Sequence, residues 1–196
     1  MVSLDPRFQQ IADGLVLPAF VAGHGALDFC NTRAGWGERE PREYLTSYDH
    51  LVVWAREAGL VEPAAAERLR KAAGGEKALS RALRLRDAIY GACTDPSDEA
   101  WDLVAAEAHR AATAARLTRG GGWVIPQEVG VELPVLEVAR TAATLLSSEE
   151  VSRVGRCPGH GCGWLFKDPR GRRRWCVMAV CGNREKARRH ATKVRG

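Results

Sequence analysis

Apolar residues recur at helical spacing along most of the first 150 residues of the chain. The run LVVWA at 51–55 follows a candidate N-cap at Ser47 and stops at Gly59, which predicts a helix between these two residues. The same spacing predicts further helices from 63 to 74, over 79–94, over 97–117 and over 135–147. This pattern is typical of a mainly α-helical body.

Two short segments depart from helical periodicity. The glycines at 120–122 end the helix before them, and the extended run Trp123-Val124-Ile125 then predicts a short β-hairpin. The motif ALDFCNT at 26–32 ends in polar residues that are typical of a cap or a turn. The pattern thus predicts a helical N-terminal domain that carries one small β-hairpin.

Charge divides the chain near residue 150. The net charge of the whole chain is +5, but residues 151–196 contain 13 Lys and Arg residues against two acidic ones, a net charge of +11. Residues 1–150 contain 16 basic and 22 acidic residues, a net charge of −6. This asymmetry indicates two domains, 1–150 and 151–196, and a polyanionic partner of the second, either nucleic acid or an anionic membrane surface.

Four of the six cysteines lie in the basic tail, in two pairs of equal spacing. Cys157 and Cys162 enclose four residues, and so do Cys176 and Cys181 after the intervening segment 163–175. Zinc binds four thiolates tetrahedrally, and a short spacer lets one turn present both sulfurs of a pair. Four protein ligands leave no position for water, so we expect one structural Zn²⁺ ion. Iron–sulfur ligation by the same thiolates is the weaker alternative.

The tail is too short to fold on an apolar core alone, so the metal would contribute most of its folding free energy. We expect a treble-clef-like order in this tail, with a zinc knuckle at 157–162, a β-hairpin and then a helix. The predicted hairpin joins a strand at 164–166 to a returning strand at 172–175. The last helix is basic and has no apolar stripe, which favours phosphate contact over membrane insertion.

The run CPGHGCGWLFKDPRGRRRWCVMAVCGNREKARRH, which begins at Cys157, resembles the C-terminal zinc finger of the CGNR proteins, named for the tetrapeptide found here at 181–184. The motifs LDFCNT at 27–32 and VARTAATLL at 138–146 resemble the ABATE domain that precedes this finger. The resemblance implies a bacterial transcription regulator in which the finger binds DNA and the N-terminal domain senses a small molecule or a stress. It also implies that the four cysteines are the metal ligands. Pro169 departs from the small hydroxylic residue of the family.

Eight side chains of the tail are candidate DNA contacts: Arg172, Arg173, Arg174, Asn183, Arg184, Lys186, Arg188 and Arg189. Asn183 and Arg184 are residue types that bond adenine and guanine edges, although capping of the last helix and bracing of the zinc site explain them equally well. Arg188 and Arg189 suit phosphate contact. Successive residues of an extended strand point to opposite sides, so we expect two of the three arginines at 172–174 to face a phosphate.

Asp28, Asn31 and Thr32 are the polar residues of the ALDFCNT motif. A functional interpretation places them on the wall of a ligand pocket, whereas the favoured alternative makes them capping and turn residues at a helix end. The first 150 residues contain no paired nucleophile and base, no phosphate loop and no second metal motif. We therefore expect a regulator rather than an enzyme.

The sequence thus predicts a zinc-dependent DNA-binding transcription regulator whose N-terminal domain responds to a small-molecule effector. The alternative is a zinc-stabilised module that binds RNA or protein without sequence-specific DNA recognition. One finger offers little surface for selective binding, which favours a homodimer. The chain shows neither a signal peptide nor a membrane-spanning run, which predicts a cytoplasmic protein without a membrane partner.

Overall fold

The structure is a computed structural model that describes residues 6–120 and 122–195, with side chains as far as Thr192. Its first element is a β-hairpin that the hydrophobic pattern did not predict. Strand β1 (Gln9–Ala12) pairs antiparallel with β2 (Leu15–Pro18) through the two-residue turn Asp13-Gly14, where φ is 48° and 76°. An Asp-Gly dipeptide favours such a turn because both positions require left-handed backbone. That dipeptide is the sequence signal for the hairpin.

The ALDFCNT motif forms a short helix, α1 (Gly25–Cys30). Asn31 is its C-cap, with a backbone N–H bonded to the carbonyls of Leu27 and Phe29, so the predicted cap at the polar end of the motif is confirmed. Two-residue strands follow, β3 (Arg33–Ala34) and β4 (Arg42–Glu43), and pair antiparallel. They hold a polar loop beside the tail of the chain.

The predicted helices of the body are confirmed, with ends that differ by a few residues. Helix α2 (Tyr48–Glu57) begins as predicted after Ser47, whose hydroxyl oxygen accepts a hydrogen bond of 3.3 Å from the N–H of His50. The other helices are α3 (Pro63–Arg70), α4 (Gly75–Thr94), α5 (Asp98–Ala114) and α6 (Leu133–Leu146). No helix in the described ranges is both long and apolar enough to cross a membrane.

The predicted hairpin after α5 is also confirmed. Strand β5 (Arg116–Thr118) pairs antiparallel with β6 (Gly122–Val124). This ribbon lies on the surface, with Leu117 and Trp123 largely exposed. It therefore contributes little to the core.

The core of the body is built around α6. This helix packs against α1, α4 and α5, and its apolar residues are buried on most sides because neighbours surround it. Trp54 of α2 is fully buried and lies 5.0 Å from Phe29 of α1, measured between ring centroids. Trp54 is thus a core residue, as its helical spacing predicts.

The basic tail contains the predicted knuckle and helix, but the predicted hairpin between 164–166 and 172–175 is wrong. Strand β8 (Leu165–Lys167) pairs antiparallel with β7 (Val154–Arg156), not with residues 172–175, which form no strand. The knuckle itself explains this difference, because a turn that brings Cys157 next to Cys162 also brings its own flanking segments together. A π-helical turn (Met178–Gly182) and α7 (Asn183–Arg195) complete the tail.

Candidate metal centre and its junction with the helical body

The four predicted cysteines converge on one buried point. Their sulfur atoms all lie within 4.8 Å of one another, and the Cys176 sulfur lies 3.5 Å from that of Cys162 and 3.6 Å from that of Cys181. Zinc–sulfur bonds of about 2.3 Å in a tetrahedron place the sulfurs about 3.8 Å apart. The cluster therefore fits a zinc ion with four thiolate ligands. His160 is exposed and lies outside the cluster.

Two tight turns present the sulfurs in pairs. In the first, the N–H of Cys162 bonds to the Gly159 carbonyl at 3.0 Å, and in the second the N–H of Cys181 bonds to the Val177 carbonyl at 2.9 Å. A Cβ at Gly159 would lie only 3.1 Å from the Cys181 sulfur, so glycine leaves the space that the cluster needs. The two turns thus bring each pair of sulfurs to the same cluster, where one ion can contact all four.

Contacts among the four thiols shift their pKa values in opposite directions, because four thiolates side by side would concentrate negative charge. Hydrogen bonds from the three other thiols lower the pKa of Cys157, whereas its bond to Cys157 and burial raise the pKa of Cys176. A bound zinc ion neutralises part of this charge and holds all four as thiolates. With no open position for water, the site stabilises the fold and offers no place for a reaction.

Two family models match the chain and divide it at the same place as the charge. The model named ABATE, described as a putative stress-induced transcription regulator, matches residues 23–149. The chain belongs to the ABATE family. A second model, the CGNR zinc finger, matches residues 153–193 and includes all four cysteines, which form its zinc site. No curated protein matches the chain.

Asn31, at the end of α1 in the ABATE region, binds the zinc finger directly. Its side-chain nitrogen donates to the Leu165 carbonyl at 2.9 Å, and its side-chain oxygen accepts from the Leu165 N–H at 2.8 Å. Both residues are fully buried, and Leu165 belongs to the core of the helical body. Asn31 therefore provides partners for the backbone N–H and carbonyl of Leu165 at the edge of β8, as a neighbouring strand would.

Asp28, in α1 of the ABATE region, holds the loop just before that region against the finger. Its carboxylate accepts hydrogen bonds of 2.9 Å from the N–H groups of Val21 and Ala22. The carbonyls of the same two residues accept from the finger: Val21 from the Arg173 guanidinium at 2.6 Å and Ala22 from the Lys167 N–H at 2.8 Å. The loop is thus bonded on one edge by Asp28 and on the other by the finger.

Thr32 holds the β3–β4 ribbon. Its hydroxyl donates to the Phe29 carbonyl at 2.7 Å and accepts from Arg86, which also forms two bonds of 2.7 Å to Glu43. Burial of all three side chains and their hydrogen bonds within the protein favour the alternative interpretation of Asp28, Asn31 and Thr32 as structural residues over the wall of a ligand pocket. Asn31 bonds the finger directly, whereas Asp28 and Thr32 hold neighbouring segments of the body in place.

Aromatic residues complete this junction, and sequence reasoning missed them. Trp36 stacks on Tyr90 with ring centroids 3.7 Å apart, and the Tyr90 hydroxyl donates to the Gly163 carbonyl at 2.8 Å. The indole N–H of Trp164 donates to the Arg33 carbonyl at 3.0 Å. The sequence did offer a signal for this contact, because Trp36 is a large aromatic residue in the otherwise polar loop GWGEREP at 35–41.

The predicted DNA contacts divide into one half-buried arginine and an exposed set. Arg173 is turned inward, where it lies 4.7 Å from the Phe166 ring centroid and bonds the Val21, Trp175 and Cys176 carbonyls. Its Nε and one terminal nitrogen are thus bonded within the protein, so Arg173 offers DNA fewer free donors than its exposed neighbours, and its role as a DNA contact stays a prediction. The remaining predicted arginines and Lys186 are exposed, and they form what we name the basic surface: Arg172, Arg174, Arg184, Lys186, Arg188 and Arg189.

Asn183 begins α7 and is exposed. Its side-chain nitrogen donates to the Ala179 carbonyl at 3.2 Å, one turn earlier. This bond joins α7 to the π-helical turn that carries Cys181, so Asn183 has a structural role beside any contact with DNA.

Burial of Asp28 makes the stability of the junction depend on pH. Desolvation raises the pKa of Asp28 to about 6, against about 3.9 for an exposed aspartate. A raised pKa means that the folded protein favours the protonated form. The resulting stabilisation is present in full below about pH 4 and is lost as the pH rises through about 6, by about 2–3 kcal/mol.

We expect the Asp28→Asn variant to lack this pH dependence. Urea unfolding of both proteins, followed by circular dichroism from pH 4 to 7, measures the difference in free energy of unfolding. Loss of metal at low pH affects both proteins and cancels in that difference. A difference that stays constant over this range would contradict a raised pKa at Asp28.

Proposed function

We propose that this protein is a zinc-dependent DNA-binding transcription regulator, in which the CGNR finger contacts DNA and the ABATE region responds to a small-molecule effector. The observation that supports this proposal is the basic surface. Six cationic side chains are exposed around the second cysteine pair, and Glu185 is the only acidic residue from 169 to 196. Phosphate contact supplies most of the affinity in nonspecific DNA binding.

The geometry of α7 makes its cations accessible. This helix packs mainly against the π-helical turn before it, so most of its length faces solvent. Glu185 lies 3.6 Å from Arg188 and 3.4 Å from Arg189, and the two arginine side chains are more than half exposed. Exposed ion pairs of this kind contribute at most about 1 kcal/mol, so they do not withhold the arginines from phosphates.

A zinc ion would support this role, because its ligand Cys181 lies in the π-helical turn from which α7 starts. The proposed role of the metal is structural, because four cysteine ligands leave no position for a substrate at the ion. A single small finger buries too little surface for tight selective binding, so we propose that the protein acts on DNA as a homodimer.

Sequencing of bound genomic fragments tests the proposal directly. Zinc-loaded protein is incubated with fragmented DNA of its own genome at physiological salt, and the retained fragments are sequenced. We expect a small number of sites to be enriched, and a chelator to abolish the enrichment. Retention without enrichment would indicate a general nucleic-acid binder, and no retention would contradict DNA binding.

Replacement of Arg188 and Arg189 together by alanine should weaken binding to every DNA sequence. Each lost phosphate contact lowers the slope of log affinity against log salt by about 0.9, so the slope should fall by up to about 1.8. Fluorescence anisotropy at several salt concentrations measures both quantities, with zinc content checked in parallel.

A matched control removes two exposed cations from the body, Lys77 and Arg84 of α4. This double alanine variant lowers the net charge by the same amount, and we expect its salt slope to stay unchanged. Equal effects of the two double variants would contradict a contact through α7.

A further inference from the structure

A cavity of about 270 Å³ lies at the junction, between β4 of the ABATE region and the start of α7. Three aromatic and three polar side chains line it, beside the sulfur ligands Cys162 and Cys181: Phe8, Tyr44, Trp164, Gln9, Arg42 and Arg184. Small-molecule sites are commonly found between domains, with apolar walls and a few convergent polar groups. This cavity has both features.

Two arginines from the two regions face this cavity without an acidic partner. Arg42 lies on β4, with its guanidinium 5.4 Å from the ring centroid of Tyr44, and Arg184 lies in the first turn of α7. Neither forms an ion pair with any carboxylate of the described residues. Two cations that share a cavity repel each other, and an anion between them would remove that repulsion.

A buried hydroxyl offers the cavity a further donor. Tyr44 is 5% exposed, and its oxygen accepts a hydrogen bond of 3.0 Å from the side-chain nitrogen of Gln9, which is 6% exposed. No atom of residues 6–120 and 122–192 accepts the hydroxyl proton of Tyr44. Buried donors normally have acceptors, so this proton is available to an oxygen atom of a ligand.

The aromatic residues of the cavity indicate the chemistry of the rest of the ligand. The rings of Phe8 and Trp164 lie 4.8 Å apart between centroids and are inclined by 48°, and Trp164 is almost fully buried. Aromatic faces of this kind favour a flat ring. The volume suits a single ring with a short substituent. A DNA phosphate can reach the exposed arginines but not the buried Tyr44 and Trp164.

We propose that this junction cavity binds a small aromatic carboxylate, with the carboxylate bonded by Arg42, Arg184 and the Tyr44 hydroxyl and the ring packed against Phe8 and Trp164. The regulatory consequence rests on the proposed function. Arg184 also belongs to the basic surface, so a bound carboxylate withdraws one cation from DNA. Ligand and DNA then weaken each other's binding by the same factor, because linkage is reciprocal.

Calorimetric titration of the zinc-loaded full chain with benzoate tests the site without DNA. We expect benzoate to bind, and benzamide, its neutral analogue, to bind at least tenfold more weakly. The Arg42→Met and Arg184→Met variants should each lose at least tenfold in affinity for benzoate, since each removes a charged hydrogen-bond donor. Tyr44→Phe should lose about fivefold.

The matched control is Arg39→Met, which removes an exposed arginine of the loop that leads into β4 and that does not line the cavity. This variant should bind benzoate as the unmodified protein does. Circular dichroism and zinc content show whether each variant is folded. Three results would each overturn the proposal. They are a failure of benzoate to bind, binding of benzamide as tight as that of benzoate, and equal losses of affinity for benzoate in Arg39→Met and Arg42→Met.

DNA binding is measured separately, so failure of the two proposals can be told apart. Saturating benzoate should lower the DNA affinity of the unmodified protein and leave that of Arg42→Met unchanged. If benzoate does not bind and Arg42→Met instead lowers DNA affinity and its salt slope, the two arginines are phosphate contacts and the carboxylate site is rejected. If no DNA is bound, the calorimetric result still stands.

Discussion

Replacement of Cys176 by serine is expected to abolish zinc binding and to destabilise both regions of the protein. Structural zinc contributes about 10–16 kcal/mol to the folding of isolated fingers, which is as large as the whole stability of an ordinary domain. The finger of this protein is also part of the body's packing. Leu165 is buried in the core of the helical body, and Asn31 bonds its backbone. Unfolding of the finger should therefore spread into the ABATE region.

Metal analysis and thermal unfolding followed by circular dichroism measure the two effects. The control is Cys93→Ser, since Cys93 lies on α4 outside the cluster and this variant should keep one zinc ion. A chelator should lower the unfolding temperature of the control and leave the already metal-free Cys176→Ser variant unchanged. One zinc ion per chain in Cys176→Ser would contradict the ligand set, and a body of unchanged stability would contradict the shared core.

Replacement of Asn31 by alanine is expected to cost the protein about 2–6 kcal/mol of its free energy of unfolding. The change leaves the N–H and the carbonyl of Leu165 buried without partners, and each unsatisfied group costs about 1–3 kcal/mol. Urea unfolding at neutral pH measures this loss. Hydrogen exchange should show earlier opening at the amide of Leu165, because that amide loses its acceptor.

Asn183→Ala is the matched control, because it removes an asparagine that is exposed and makes one hydrogen bond to a carbonyl. We expect it to cost about 1 kcal/mol or less. In the Cys176→Ser background, Asn31→Ala should have a smaller effect than alone, since the strand that it binds has lost its metal-held turn. Equal losses in Asn31→Ala and Asn183→Ala would contradict a role of Asn31 at the junction.

Much of the fold follows from local patterns. Apolar residues at helical spacing predict α2 to α6, the Ser47 cap begins α2, and glycines with an extended run predict the β5–β6 hairpin. Spacing alone also predicts the metal ligands, because two equal turns can present their sulfurs to one ion wherever the rest of the chain lies. The β1–β2 hairpin had a sequence signal in Asp13-Gly14 that apolar periodicity does not reveal.

Strand pairing and hydrogen bonds between segments that are far apart along the chain could not be predicted from the sequence. The strand at 164–166 was expected, but its pairing with 154–156 depends on how the knuckle brings its flanks together. Arg173 and its neighbour Arg174 are the same residue type in sequence, and only the packed structure turns Arg173 inward to the Val21 carbonyl and leaves Arg174 exposed. Hydrogen bonds to backbone groups far along the chain have no local signal.

The sequence by itself determined the helical body, the charge division near residue 150 and the four zinc ligands, because each depends on residue type and short spacing. The tertiary structure alone decided that Asn31 bonds the finger at Leu165, and that Arg42 and Arg184 line one cavity. Burial and donor–acceptor pairing between residues more than a hundred positions apart are properties of the folded chain, so they appear only when its surfaces meet.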